Sequence, residues 1–223
     1  MQLNVRLLRI RTECALDAAY QNVVDGGWRR SSNIVTVDKS AEDGGGAFDV
    51  ILRRKIQFSV RDADGLFATE AVDSFERFSV RLYELKRDFV LAVINPPRGT
   101  RYIESLLGVF FGEDNFHYDS VDVTEDLVRR HVERLGIAKL VSAKIRDFPI
   151  YDGAVARLEV SSRKGIKPGI APFLKDKFYK FDSATYEITD RFSSFLITYN
   201  GSGSLKISDQ FIEPVLSKFV RLI

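Results

Sequence analysis

Residues 2 to 10 alternate apolar Leu3, Val5 and Leu7 with polar Asn4 and Arg6, the two-residue period of a strand that buries one face. Past Thr12, which suits an N-cap, Leu16, Ala19, Tyr20 and Val23 recur at helical spacing and stop at Asp25-Gly26-Gly27. A helix over 13–24 is predicted. Strand-like stretches follow at Asn33–Val37 and Phe48–Val60. The loop between them carries Gly44, Gly45 and Gly46, residues that lose the most freedom on ordering. Asp64-Gly65 marks a turn before Phe78, Val80 and Leu82, which alternate toward another strand.

The unbroken apolar run Phe89–Ile94 reads as a fully buried strand, ended by Asn95-Pro96-Pro97. Ile103, Leu106, Leu107, Phe110 and Phe111 then match the template of a one-sided apolar helix over 101–111. A strand near Phe116–Val121 leads to a helix over 123–135. Leu127, Val128, Val132 and Leu135 form its stripe, and Asp122 with Glu125 reads as its capping box. Lys139–Ile150 and Ala154–Val160 make a hairpin turned at Asp152-Gly153, and a second hairpin turns at Asn200-Gly201. Helices are predicted over 169–178 and 211–222, the latter with Pro214 in its first turn, where a missing N–H is harmless.

These elements define an α+β fold: an antiparallel-rich mixed sheet system with about five amphipathic helices. The chain reads as one domain or as two lobes, 1–87 strand-rich and 88–223 mixed. Residues 91–127 and 158–192 share a strand, a basic Gly/Pro turn, an apolar-spaced helix and another strand. Val93 aligns with Val160, and Val121–Thr124 aligns with Tyr186–Thr189 once two residues are deleted, so two related units are an expectation about architecture alone.

Composition adds limits. With 45% hydrophobic and 29% charged residues the chain has globular usage throughout. No apolar run approaches the ~20 residues that span a bilayer and no signal-peptide core appears, which leads to an intracellular, non-membrane expectation. Cys14 is the single cysteine, which excludes an internal disulfide and multi-cysteine zinc sites. The net charge of +2 conceals an asymmetry. Residues 1–126 carry 16 basic and 21 acidic residues, whereas 127–223 carry 17 and 10. A basic C-terminal half attracts phosphates or is a solvated surface.

Candidate chemistry follows from that asymmetry. Arg163, Lys164 and Lys167 flank Gly165 and Gly169, and Lys175, Lys177 and Lys180 surround Phe178, Tyr179 and Phe181. Cations neutralise phosphates, aromatic faces stack on unpaired bases, and glycines let backbone N–H groups approach an anion. The competing reading places the aromatics in the core and the lysines in water. Arg129, Arg130 and Arg134 form a second basic group on the polar side of their helix, interrupted by Glu133.

Three further constellations are weaker. Asp73 followed by Glu84 and Lys86 resembles the carboxylate and Glu-x-Lys of metal-dependent nucleases, where acids hold Mg²⁺ and the lysine stabilises developing charge. An exposed cross-strand ion pair explains the same residues. His117 and Asp119 share a strand face that His131 joins only if the fold returns it, and His131 lies in the apolar stripe of its helix. Cys14 has no base nearby in sequence. The resulting expectation is a non-enzymatic binding or assembly module without a cofactor. Its expected partner is nucleic acid, held through the basic C-terminal half. The alternative is a protein partner or homo-oligomer, and a metal-dependent nuclease ranks third.

Overall fold

In the computed structural model of the 223-residue chain, residues 31–32, 40–45, 62–66, 87, 167–178 and 191–192 lie outside the described structure. The rest is α+β and dominated by antiparallel strands. Its contacts divide it into two units, one of residues 9–118 and one of residues 1–8 with 119–223. The boundary expected near residue 88 lies inside the first unit, where two strands pair across it from Ser79↔Ile94 to Glu84↔Phe89.

In the first unit the end of β1 (Gln2–Thr12) is followed by α1 (Leu16–Val24) and a 3-10 turn (Gly27–Arg30). Then come β2 (Ile34–Lys39), β3 (Ala47–Arg61), β4 (Phe67–Glu84), β5 (Phe89–Ile94) and α2 (Arg101–Phe111). The strands form an antiparallel meander in the order β2-β3-β4-β5. β5 is buried along its whole length, as its unbroken apolar run requires. Alternation on β3 and β4 sends Phe48, Val50, Leu52, Phe78, Val80 and Leu82 into the core. α2 meets them with its predicted face. Phe110 packs edge-on against Phe48 with ring centroids 5.0 Å apart, and Tyr102 against Phe78 at 5.4 Å. Arg9 and Asp88 add an ion pair at 2.6 Å.

The second unit holds the remaining strands, with β6 (Phe116–Ser120) entering it at Asp119. α3 (Glu125–Leu135) leads to β7 (Ile137–Tyr151), β8 (Ala154–Ser161), β9 (Lys180–Thr189), β10 (Ser194–Asn200), β11 (Ser204–Ser208) and α4 (Ile212–Val220). The strand order is β1-β11-β10-β9-β7-β8, with β1 joined to β11 from Gln2↔Ser208 to Arg6↔Ser204. The turn between β10 and β11 draws the chain tight: a Cβ on Gly201 would stand 2.8 Å from the Phe181 carbonyl oxygen. Val5, Leu7, Ile188, Ile197, Leu205, Leu216 and Phe219 are fully or almost fully buried.

Two expectations need correction. α3 is capped by Thr124, whose hydroxyl accepts the Leu127 N–H at 3.2 Å, so the cap is not the Asp122–Glu125 box. Thr124 directly precedes the first helical residue, which puts its oxygen in reach of the free N–H groups of the first turn. Among the described residues there are four α-helices, not five. The helix expected over 169–178 lies outside them, together with much of the second of the two related strand-helix-strand segments. Pro214 is in the first turn of α4 as expected.

Candidate interaction surfaces

Three of the basic residues singled out from sequence, Arg129, Arg130 and Lys180, stand beside acids. On α3, Arg129 contacts Asp126 at 2.6 Å and Glu133 at 3.8 Å, while Arg130 reaches Asp126 at 3.0 Å. The hydrogen bond from Arg129, with the charge of Arg130 beside it, holds the Asp126 carboxyl below its ordinary pKa. Helical three- and four-residue spacing explains the grouping. Arg134 is exposed on the same helix, and its carbonyl accepts from Lys218 at 3.1 Å. Lys180 pairs with Asp147 at 3.0 Å. Its neighbours follow the same rule: Lys139 with Glu187 at 2.7 Å, Lys144 with Glu159 at 2.9 Å, and Arg157 with Asp182.

Arg163 and Lys164 occupy an exposed turn after β8. Lys167, Lys175 and Lys177 lie outside the described residues. Of the aromatics in that segment, Tyr179 is part-buried and donates to Glu125 at 2.8 Å. Burial and that acceptor push its hydroxyl pKa up to about 12. Phe181 is half-buried on β9.

The weaker constellations come apart. Asp73 and Glu84 are eleven positions apart on the continuous strand β4, on the order of 35 Å of extended chain. Among the described residues no group of three His, Cys, Asp or Glu side chains stands ready to hold a metal. His131 is fully buried with both ring nitrogens engaged, Nδ1 to the Tyr199 hydroxyl at 2.8 Å and Nε2 to the Val215 carbonyl at 3.1 Å. Because a carbonyl only accepts, Nε2 carries the proton and Nδ1 accepts from tyrosine. Burial depresses the His131 pKa to about 4, with Lys218 and Arg134 pushing the same way against the Val215 carbonyl. The imidazole is therefore neutral and structural, unavailable to the exposed His117. Burial also raises the Cys14 thiol above its ordinary pKa, which disfavours the nucleophilic thiolate.

A different surface emerges on β3 and β4. Their ladder runs from Ala47↔Arg81 to Arg61↔Phe67, but β2 covers β3 only as far as Leu52 and β5 covers β4 only from Ser79. Beyond those points, among the described residues, the hairpin continues as a two-stranded arm of nine rungs, Arg53↔Phe75 to Arg61↔Phe67. It is roughly 27 Å long at strand rise. Even-numbered positions continue the core-facing side and show Ile56, Phe58 and Val72. Odd-numbered positions show Phe67, 77% exposed, and Phe75, 60% exposed. Sequence reading saw a strand over 48–60 and missed the stretch 67–77, where alternation is poor. The available signal was length, since strands usually run five or six residues.

The first unit also carries an open groove of about 980 Å³ where α1 and α2 end. Asp25, Glu104, Glu113 and Asp114 line it with Phe116 and Tyr118, and among the described residues no lysine or arginine does. Gly27 brings the 3-10 turn against α2, since a Cβ there would stand 2.7 Å from the Asn22 carbonyl oxygen and 3.2 Å from that of Val109. The Asn22 side chain donates to the Phe110 carbonyl at 2.9 Å and fixes the two helix ends together. Neither helix has a basic residue in its last turn, so both negative dipole ends add to the acidic lining.

No protein-family model matches this chain, and no curated protein does. One similar solved structure is the crystal structure of DynU16, a protein of the dynemicin biosynthetic locus. The match covers 98% of this chain and 92% of that one at 10% identity, with a TM-score of 0.23. A likeness of that size carries no argument about fold or function. Among the described residues no helix is long and apolar enough to cross a membrane.

Proposed function

We propose that this protein is a non-enzymatic assembly module that holds another protein surface through the outer half of the β3–β4 hairpin. The observation that carries this reading is the arm itself. Two strands without a third are marginally stable in water, and this pair exposes large apolar side chains on both faces. Ile56, Phe58, Val72, Phe67 and Phe75 gain from burial at roughly 25 cal/mol per Å² only when something covers them. Past Arg53, the strand edges, unpaired among the described residues, offer backbone N–H and C=O groups to the same partner. Ile56→Asp with Phe75→Asp should leave the fold intact by circular dichroism and remove every larger species seen by sedimentation velocity. Unchanged assembly in that variant sinks the reading.

Nucleic-acid contact is the second reading, supported by the exposed Arg163–Lys164 turn in the unit that holds the basic half of the sequence. Lys164→Glu with Lys167→Glu should weaken probe binding and flatten its salt dependence, because attraction and counterion release are both lost. Wild-type protein that binds neither single- nor double-stranded probes at low salt removes this reading.

A further inference from the structure

The groove at the ends of α1 and α2 holds charge that the fold itself leaves unmatched. Among the described residues Glu104, Glu113 and Asp114 have no cation beside them, and Asp25 accepts from the neutral Gln21 amide at 2.8 Å. Acids elsewhere are answered: Asp126, Glu187, Glu159 and Asp147 each stand within 3.0 Å of an arginine or lysine. Among the described lining residues His117 is the one basic side chain, and Arg29, which borders Gly26, lies over the Trp28 ring at 5.3 Å.

Gly108 supplies an observation independent of charge. It lies inside α2, where glycine weakens a helix relative to alanine. Its φ is not positive, and a Cβ there would meet nothing closer than the Glu113 Cγ, at 3.9 Å. Neither conformation nor packing calls for glycine at this position. Its missing side chain keeps the groove open between Glu104, one helical turn back, and Glu113. Phe116 and Tyr118 add two rings with centroids 6.4 Å apart on one face of β6. The space of about 980 Å³ is that of a small-molecule site, far larger than one ion. Among the described residues no three acids, histidines or cysteines converge on a metal, so the carboxylates are spread along the groove. A ligand that answers all of them carries several positive charges held apart, on an apolar stem that can lie against the rings.

We propose that this groove binds an aliphatic polyamine, its ammonium groups held by Asp25, Glu104, Glu113 and Asp114 and its methylene chain laid over Gly108 against Phe116 and Tyr118. The negative ends of α1 and α2 attract the same charges. Every residue involved belongs to the first unit. None of them takes part in the assembly reading, so each proposal stands or falls alone.

Titration of the full chain with spermine tests the assignment. Wild-type protein should bind one spermine per chain, and more weakly as salt screens the carboxylates. Glu104→Gln with Glu113→Gln keeps the shape of the groove, removes two charges and should weaken binding roughly tenfold or more, the scale of lost charged hydrogen bonds. Glu70→Gln with Asp152→Asn removes the same charge from exposed positions outside the groove and should change affinity by less than about twofold. Gly108→Gln fills the groove without altering its charge and should also weaken binding. Circular dichroism checks folding, and Gly108→Ala, which should raise the melting temperature while weakening binding less, is the smaller fill should the glutamine unfold α2. Absence of spermine binding at low salt overturns the proposal. Equal weakening by the two neutralised pairs overturns it in favour of a diffuse counter-ion, and a folded Gly108 variant that binds like wild type shows that the groove is not where spermine sits. A lysine-rich peptide that binds where spermine does not hands the groove to a protein partner and overturns the polyamine.

Discussion

The two units share a long hairpin with exposed apolar side chains and differ in their cores. In the second unit the strands around the β7–β8 hairpin carry ion pairs from strand to strand, Lys144 with Glu159, Lys139 with Glu187 and Lys180 with Asp147. Beside those pairs, β7 and β8 also show Ile150, Tyr151 and Val155 to water. In the first unit the corresponding reach of β3 and β4 shows Phe67, Phe75, Ile56 and Val72 to water. The contrast lies in the cores. Around Phe48 the first unit is closed by aromatic and aliphatic contacts, whereas the second buries His131 between a tyrosine hydroxyl and a helix carbonyl. The second unit places polarity inside and satisfies it, whereas both units show apolar side chains on their long hairpins.

The largest effect that sharpens this contrast is in the dry core. Phe48→Ala removes a ring that touches both Tyr20 and Phe110, and should cost about 3–5 kcal/mol in urea unfolding. A loss under about 1 kcal/mol would mean that the ring is not a keystone of that core.

The polar core has a pH signature instead. The His131 pKa lies at about 4 when folded against 6.5 ordinarily, so the unfolded chain binds the proton first as pH falls. Stability conferred by the neutral imidazole is complete above pH 6.5 and is lost on descent toward 4, on the order of 3 kcal/mol. Unfolding free energies across that window should slope upward with pH. In His131→Leu that part of the slope should vanish, at the cost of leaving the Tyr199 hydroxyl and Val215 carbonyl without their partner. An equally steep slope in the variant would assign it elsewhere.

Smaller still is the cap of α3, where Thr124→Ala should cost about 1 kcal/mol by thermal unfolding. The smallest stability effect belongs to the arm. Phe75→Ser should shift unfolding by no more than about 0.5 kcal/mol, because the ring is exposed. The same change should alter elution volume and sedimentation, and a large stability loss without either would place Phe75 in a core.

Much of this fold was readable from the chain. Phe89–Ile94 and 101–111 were placed to the residue, because an unbroken apolar run and a strict helical stripe each admit one reading. Asp152-Gly153 located its hairpin because Gly153 takes a φ of +76°, which few side chains tolerate. The Thr124 cap was missed in favour of a pattern two residues earlier, an error that only backbone geometry resolves. Charge was the poorest guide. Arg129, Arg130 and Lys180 read as a basic surface until their partners Asp126, Glu133 and Asp147 were placed beside them. The arm was hidden for a related reason. An exposed strand has no face to bury, so residues 67–77 lack the alternation by which strands announce themselves.

The pairing of β1 with β11 bears on how the molecule is made. Every element of the first unit past β1 is in place once residue 118 has been synthesised, so its meander and helices can close while the rest of the chain is still being added. The second unit has to wait. Gln2–Arg6 meet Ser204–Ser208 only after about two hundred further residues have emerged from the ribosome. Such a late, long-range closure is the kind of contact that slows folding, because the intervening chain must be gathered before the pairing repays it. Until then the edge of Gln2–Arg6 that meets β11 stays unpaired, although β6 can already pair with β1. A strand edge that is covered in the finished protein is thus exposed for most of synthesis, in addition to the hairpin arm.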